Sequence, residues 1–174
     1  MTMVTTDDGF VSDPASPLSL RLLLIVAALA ELVDSASSLP ALFVDHSQIP
    51  GPGIGGALVL TTIALKPPLA IAAIGGALIK RMRFAVCALA AIGVCTWLYF
   101  LPSMTLSDLD DGFSWTRLQV LADTELVLPT AIGAIVLAVR TTWLNLAIVL
   151  ACLPTAIRIA GLIAFMVSVS IHGF

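Results

Sequence analysis

Residues 54–79 read IGGALVLTTIALKPPLAIAAIGGALI, an apolar run that is interrupted once, by Lys66, Pro67 and Pro68. A helix needs about 20 apolar residues to cross the hydrocarbon core of a bilayer, and this run has the necessary length. A lysine at that depth is costly and is usually paired, and prolines disturb helical hydrogen bonding. The stretch therefore predicts a membrane-spanning helix with an ionisable group and a helix disturbance at one depth.

The composition of the whole chain points to the same class of protein. Hydrophobic residues make up 59% of the 174 residues, charged residues make up 11%, and the mean hydropathy is +1.08. A water-soluble domain of this size could hardly bury so much apolar surface. We predict an integral membrane protein whose surroundings are the lipid bilayer. The small formal charge of -3 gives no indication of a nucleic-acid partner.

Apolar segments long enough to cross a bilayer recur along the chain. The predicted fold is all-α, a polytopic transmembrane helical bundle of five spans, at residues 18–42, 54–79, 84–101, 120–139 and 143–170. The spans form a single transmembrane domain, residues 18–171, which follows a polar N-terminal tail, residues 1–17, that is predicted to be disordered. Four spans is the alternative, if the first or the second apolar region is not a full crossing.

The charges between the spans set the predicted orientation. The connection after the second span carries Lys80, Arg81 and Arg83, whereas the connections 43–53 and 102–119 are mainly acidic. By the positive-inside rule, the basic connection lies in the cytoplasm. We therefore expect a multi-pass protein of a bacterial inner (cytoplasmic) membrane, with its N-terminus in the cytoplasm and its C-terminus on the outer side.

Five of the ionisable residues inside the spans or at their edges form a predicted charge network or binding site. At a rise of about 1.5 Å per residue, Glu31, Lys66 and Arg158 share one level, about 20 Å from the cytoplasmic ends of their helices. Asp34 lies one turn further out on the same face as Glu31, and Glu125 enters the fourth span near the outer surface. An unpaired charge at this depth deprotonates or draws in water. We therefore expect the two cations to find counter-ions among the three carboxylates.

Two functions are compatible with such a charge network. In the first, the ion pairs only hold spans one, two and five together. The chain is then a small accessory or assembly subunit of a larger membrane complex, with other membrane subunits or further copies of itself as partners. In the second, the same five residues bind a substrate or exchange protons in a compact transporter or proton-coupled carrier. The first is favoured because the chain is almost entirely spans and nothing in it resembles a catalytic set.

Pro67 and Pro68 are expected to disturb the second span. Neither can donate a backbone hydrogen bond, so the carbonyls of Ile63 and Ala64 lose their helical partners. The residue before a proline, Lys66, is also pushed away from the α conformation. We expect the second span to be kinked or broken at this point. Broken helices of this kind bind substrates or ions in several transporter folds, whereas a simple kink has no such role.

The sequence contains no motif of a known reaction, cofactor or ligand. His46 and His172 are both expected outside the membrane core, so paired ligation of a haem is not expected. Cys87, Cys95 and Cys152 fall singly within predicted spans, where they are predicted to be packing residues. We predict no cofactor and no metal site. An enzyme is not predicted either, although the scattered polar groups leave an intramembrane enzyme open.

Glycine pairs lie at both ends of the second span, as Gly55-Gly56 and Gly75-Gly76. Small residues let the backbones of two membrane helices approach closely. The pairs therefore predict close contacts between this span and a neighbouring helix.

Overall fold

A computed structural model describes residues 17–43, 53–101, 123–140 and 143–172, and the regular structure in these ranges is helical throughout. The five α-helices are α1 (Leu18–Ser38), α2 (Ile54–Leu78), α3 (Met82–Phe100), α4 (Leu128–Arg140) and α5 (Leu144–His172). A short 3₁₀ helix, Leu39–Phe43, follows α1, and a π-helical turn, Asp123–Val127, precedes α4. The all-α prediction is confirmed. The predictions for the tail up to residue 16 and for the acidic connection 102–119 lie outside the described residues.

Four segments are long and apolar enough to cross a membrane, namely Leu18–Phe43, Ile54–Leu78, Met82–Phe100 and Leu144–Ile171. These four indicate a multi-pass membrane protein. The sequence left open whether the first or the second apolar region crosses the membrane completely. Both form helices long enough to do so. The short helix is α4, which has 13 residues. Its π-helical turn precedes Pro129, whose missing N–H removes the donor that an α-helix would offer to the carbonyl of Glu125.

The sequence predicted that α2 is kinked or broken at its prolines, and the second of these alternatives is wrong. The helix is continuous from Ile54 to Leu78, with Pro67 and Pro68 in its interior. Two adjacent prolines remove only two donors from the ladder, and the φ angle imposed by each ring is compatible with a helix. The segments before and after the prolines keep their own helical hydrogen bonds. A kink at the prolines of this continuous helix stays a prediction.

Helix α3 lies at the centre of the arrangement. It contacts each of the other four α-helices, and half of the residues in its apolar stretch are buried. Helix α1 packs against both α2 and α5, and α4 packs between α3 and α5. Within the described ranges, α2 and α5 share no packed interface of comparable size, so they lie on opposite sides of α1 and α3.

The turn between α2 and α3 brings the ends of three helices together. Lys80 has a φ of 63°, and the N–H groups of Lys80 and Arg81 donate to the carbonyls of Ala77 and Gly76 over 3.3 and 2.8 Å. This pattern is a Schellman motif, which closes the C-terminus of α2. Arg21 of α1 adds two bonds, from Nε to the carbonyl of Ala77 over 2.7 Å and from Nη2 to that of Leu78 over 2.6 Å. The positive charge of its guanidinium also favours the negative end of the α2 dipole.

The core between this turn and the middle of the bundle is rich in alanine. Its buried residues include Ala27, Ala28, Ala70, Ala73, Ala77, Ala85, Ala88, Ala134 and Ala138. Such small side chains let helix backbones approach closely, and van der Waals contacts then hold membrane helices together. Gly76 is the tightest of these contacts, since a Cβ added there would lie 2.9 Å from Cδ1 of Phe84 and 3.1 Å from the backbone nitrogen of Ala85.

Replacing Gly76 by alanine is therefore expected to destabilise the fold. The ring of Phe84 can move, but the backbone of Ala85 cannot, so α2 and α3 must separate. We expect a loss of about 1–3 kcal/mol. Thermal unfolding of the purified protein in detergent would measure it.

The matched control is Gly75→Ala, because a Cβ added at Gly75 meets nothing within 4 Å. This variant is expected to unfold at the wild-type temperature or above it, since alanine is the better helix former. Equal losses in the two variants would contradict the close α2–α3 contact.

Candidate functional site

The buried polar residues of the described ranges lie in one layer across four helices. They are Glu31, Ser35, Thr62, Thr96 and Thr155. Counted from the helix ends that meet near the α2–α3 turn, their depths are about 17 to 26 Å at 1.5 Å per residue. The core nearer that turn is apolar. We call this set, together with Asp34, Lys66 and Arg158, the polar layer.

Glu31 is the most buried ionisable group of the polar layer. It continues the buried stripe of α1 formed by Leu24, Ala27 and Ala28, and only 3% of it is exposed. Its Oε1 accepts a hydrogen bond of 2.6 Å from Oγ1 of Thr155 and pairs with Nη2 of Arg158. Both partners come from α5. The carboxylate therefore joins the first helix to the last, at a depth where a lone charge would be strongly disfavoured.

Arg158 contacts both carboxylates of α1. While Nη2 pairs with Glu31, Nη1 lies 3.6 Å from Oδ2 of Asp34. The two acids are three residues apart and stack on one face of α1, so one guanidinium can reach both. The side chain of Arg158 is 35% exposed and that of Asp34 is 56% exposed. One edge of the polar layer therefore opens at the surface of the chain.

Lys66 belongs to the polar layer but forms no ion pair with a described carboxylate. It follows Thr62 by one turn and precedes Ala70 by one turn, so it lies on the buried face of α2. Its Nζ lies 5.7 Å from the centroid of the Tyr99 ring on α3, within the range of a cation–π contact. It also interacts electrostatically with Arg158, Asp34 and Glu31. The ring face of Tyr99 thus takes the place in which we expected a carboxylate.

Glu125 is not brought to these ion pairs. It lies in the π-helical turn before α4 and is exposed. Of the five residues proposed from the sequence, the structure brings Glu31, Asp34 and Arg158 into direct contact and places Lys66 within electrostatic range. Helix α1 touches both α2 and α5, as expected for spans one, two and five, and Lys66 of α2 lies within electrostatic range of Arg158 of α5.

Two small cavities adjoin the polar layer on the α4 side. One is lined by Glu31, Ala151, Thr155 and Arg158 among others, and offers about 10 Å³ to the centre of a water molecule. The other is lined mainly by apolar residues of α4 and α5 and offers about 40 Å³. These volumes fit one to a few water molecules and no larger solute.

No group of three or more histidine, cysteine, aspartate or glutamate side chains is placed to hold a metal ion within the described part of the chain. Cys95 and Cys152 are buried as free thiols, and Cys87 is half-buried. The chemistry that this arrangement can support is therefore ion pairing, hydrogen bonding and the holding of water.

Three participating residues, Thr155, Tyr99 and Arg21, were not predicted from the sequence. Thr155 lies three residues before Arg158 on the same face of α5, and that spacing was a usable signal. The contact of Tyr99 with Lys66 depends on how α3 is rotated against α2. The hydrogen bonds from Arg21 to α2 depend on where α1 begins. No local sequence pattern indicates the rotation of α3 or the start of α1.

Replacing Arg158 by methionine is expected to destabilise the protein by about 3 kcal/mol, because Glu31 would then be a buried carboxylate without its cation. Adding Glu31→Gln should restore much of the loss. A double-mutant cycle in unfolding experiments would give a coupling of at least about 1 kcal/mol.

The matched control pairs Lys66→Met with Glu31→Gln. Because Lys66 has no direct contact with Glu31, this cycle is expected to show a clearly smaller coupling than the Arg158 cycle. The reverse order of the two couplings would contradict the geometry described above.

No family model, no curated protein and no solved structure matches the chain.

Proposed function

We propose that this protein is a small accessory or assembly subunit of a larger membrane complex, which it joins through the outer half of α5, residues 159–171. The observation that carries the proposal is the exposure of this half-helix. Its described side chains are exposed, except that of Val169, which is half-buried. A Cβ added at Gly161 would meet no atom of a neighbouring element within 4 Å in the described part of the chain.

The inner half of the same helix is packed quite differently. Leu144, Ala147, Ile148, Ala151 and Cys152 are all buried against α3 and α4. Beyond Arg158 the helix is mainly apolar, with Ser168 and Ser170 as its polar residues before His172, and its described side chains are exposed except the half-buried Val169. A helix that is hydrophobic all round is typical of a position inside a membrane or inside a larger assembly. Small residues at 160, 161 and 164 would let a partner helix approach closely.

The exposed charges support a protein partner more than a lipid-covered surface. Asp34 and Arg158 are both partly exposed at a depth where lipid chains cannot solvate them. They lie next to the start of the exposed half of α5. A partner helix at this half of α5 would cover the open edge of the polar layer at the same time.

In this proposal the chain crosses the membrane five times as a bundle, with α4 and its π-helical turn as the shortest crossing. Lys80, Arg81 and Arg83 lie at the end of the bundle that we assign to the cytoplasm, together with Arg140 at the end of α4. The N-terminus is then cytoplasmic and the C-terminus lies on the outer side. A bacterial inner membrane is the proposed location.

A second candidate function is a proton-coupled carrier that works through the polar layer. Two observations favour it. Oε2 of Glu31 is buried without a hydrogen-bond partner, and Lys66 has no carboxylate within 4.0 Å among the described residues. Groups that lack partners can exchange protons or receive a ligand. The two cavities that described residues line beside the polar layer hold only one to a few water molecules, so this candidate is the weaker one.

The accessory-subunit proposal is tested by gentle detergent extraction, native gel electrophoresis and mass spectrometry of the tagged chain. We expect a stoichiometric complex with other membrane proteins. Gly161→Leu should dissociate this complex, because the added side chain occupies the open face of α5, while the variant monomer stays folded.

The matched control is Gly75→Leu, which also replaces a glycine at which an added Cβ would meet nothing within 4 Å, but on α2. It should leave the complex intact. A wild-type chain that runs alone, or equal behaviour of the two variants, would count against the proposal. A folded chain that runs as a lone monomer would favour the proton-coupled carrier function.

The orientation is tested by labelling single cysteines, at Lys80→Cys and Asp110→Cys, in a chain whose three natural cysteines are replaced. A membrane-impermeant maleimide added to intact cells is expected to label position 110 and not position 80, until the membrane is opened. Labelling of both positions from outside would overturn the proposed topology.

A further inference from the structure

Glu31 uses only one of its two carboxylate oxygens. Oε1 accepts hydrogen bonds from both Thr155 and Arg158, whereas Oε2 is buried and has no hydrogen-bond partner in the described part of the chain. The whole residue is 3% exposed, so bulk water does not supply the missing bond. A buried carboxylate oxygen without a donor is costly, and native proteins usually satisfy such an atom with protein or with bound water.

A cavity of matching size adjoins this carboxylate. It offers about 10 Å³ to the centre of a water molecule, which is close to the smallest volume that holds one. Its walls come from four helices and consist largely of small residues, namely Ala90, Gly93, Ala131 and Ala151, beside Glu31 and Thr155. The space exists because these side chains are short. A water here would lie beside polar groups on one side only.

Helix α5 supplies a second acceptor at this point. Pro154 lies inside α5 and lines the cavity. It has no N–H, so the carbonyl of Leu150, one turn earlier, lacks its helical donor. A helical carbonyl points along the helix toward the residue four positions later, so that of Leu150 points toward Pro154, which lines the cavity. One acceptor without a donor, Oε2 of Glu31, therefore adjoins this space, and the carbonyl of Leu150 points toward its wall.

We infer that this cavity is a binding site for a single water molecule, which donates one hydrogen bond to Oε2 of Glu31 and the other to the carbonyl of Leu150. A water has two donors, and the site has two acceptors that need one each. A monovalent cation fits less well, because the guanidinium of Arg158 also lines the cavity and would repel it. The inference is independent of the proposed function, since either role leaves the site in place.

The chain offers a direct measurement, because Glu31 and Glu125 are its only two glutamates. Protein labelled with ¹³C at the glutamate side-chain carboxyl, in lipid bilayers, gives two carboxyl signals. Glu31→Gln identifies them. In solid-state NMR, magnetisation transferred from water protons is expected to reach both carboxyls. Exposed Glu125 receives it from bulk solvent, and Glu31 receives it from the bound water.

A pair of matched variants tests whether the transfer to Glu31 comes from this cavity. Ala151 and Ala147 are both buried on α5, one turn apart, but Ala151 lines the cavity and Ala147 does not. We expect Ala151→Val to abolish the transfer to Glu31 and Ala147→Val to preserve it. The Glu125 signal and the elution volume report that each variant is folded.

Three results would overturn the inference. The first is a wild-type Glu31 carboxyl that receives no magnetisation from water while Glu125 does. The second is undiminished transfer in a folded Ala151→Val protein. The third is a Glu31 signal that moves when sodium replaces a large organic cation, which would identify a metal cation as the occupant. Transfer that survives in Thr155→Val would support water as the source, because the hydroxyl relay is then absent.

Discussion

The ion pair between Glu31 and Arg158 is the interaction on which the rest of the arrangement depends. A carboxylate that is 3% exposed in an apolar bundle is tolerated only with a cation and hydrogen-bond donors at hand. Arg158 and Thr155 provide both from α5, so the first and last helices must meet at this depth and in this rotation. The alanine-rich core lets the helices approach closely, and the ion pair determines which residues of α1 and α5 face each other.

Helix lengths and depths were predictable because they follow from simple counting. Apolar runs of the right length predicted α1, α2, α3 and α5 within a few residues, whereas α4 begins at Leu128, later than the predicted start at residue 120. A fixed rise per residue placed Glu31, Lys66 and Arg158 at one level. Partner choice was not predictable in the same way. The depth of a residue depends on its own helix alone, but a contact depends on how two helices are rotated about their axes. Lys66 therefore contacts Tyr99 where a carboxylate was expected.

Proline acts differently in two helices. In α2, where the sequence predicted a kink or a break, the hydrogen bonds on either side of Pro67 and Pro68 keep the helix continuous. Before α4, Pro129 follows a π-helical turn that no pattern in the sequence predicted. The missing N–H of Pro129 removes the α-helical donor for the carbonyl of Glu125, which lies in that turn.

The unequal lengths of the helices have a consequence for the surrounding lipid. With 29 residues, α5 is about 43 Å long, and with 19 residues α3 is about 28 Å long, against a hydrocarbon core of about 30 Å. The central helix therefore matches the bilayer while the last helix exceeds it. Hydrophobic mismatch of this kind is relieved by tilting the long helix or by thickening the bilayer around it. Because the inner half of α5 is held by the bundle, its free half must adjust, and membrane thickness then sets the angle at which it leaves the protein.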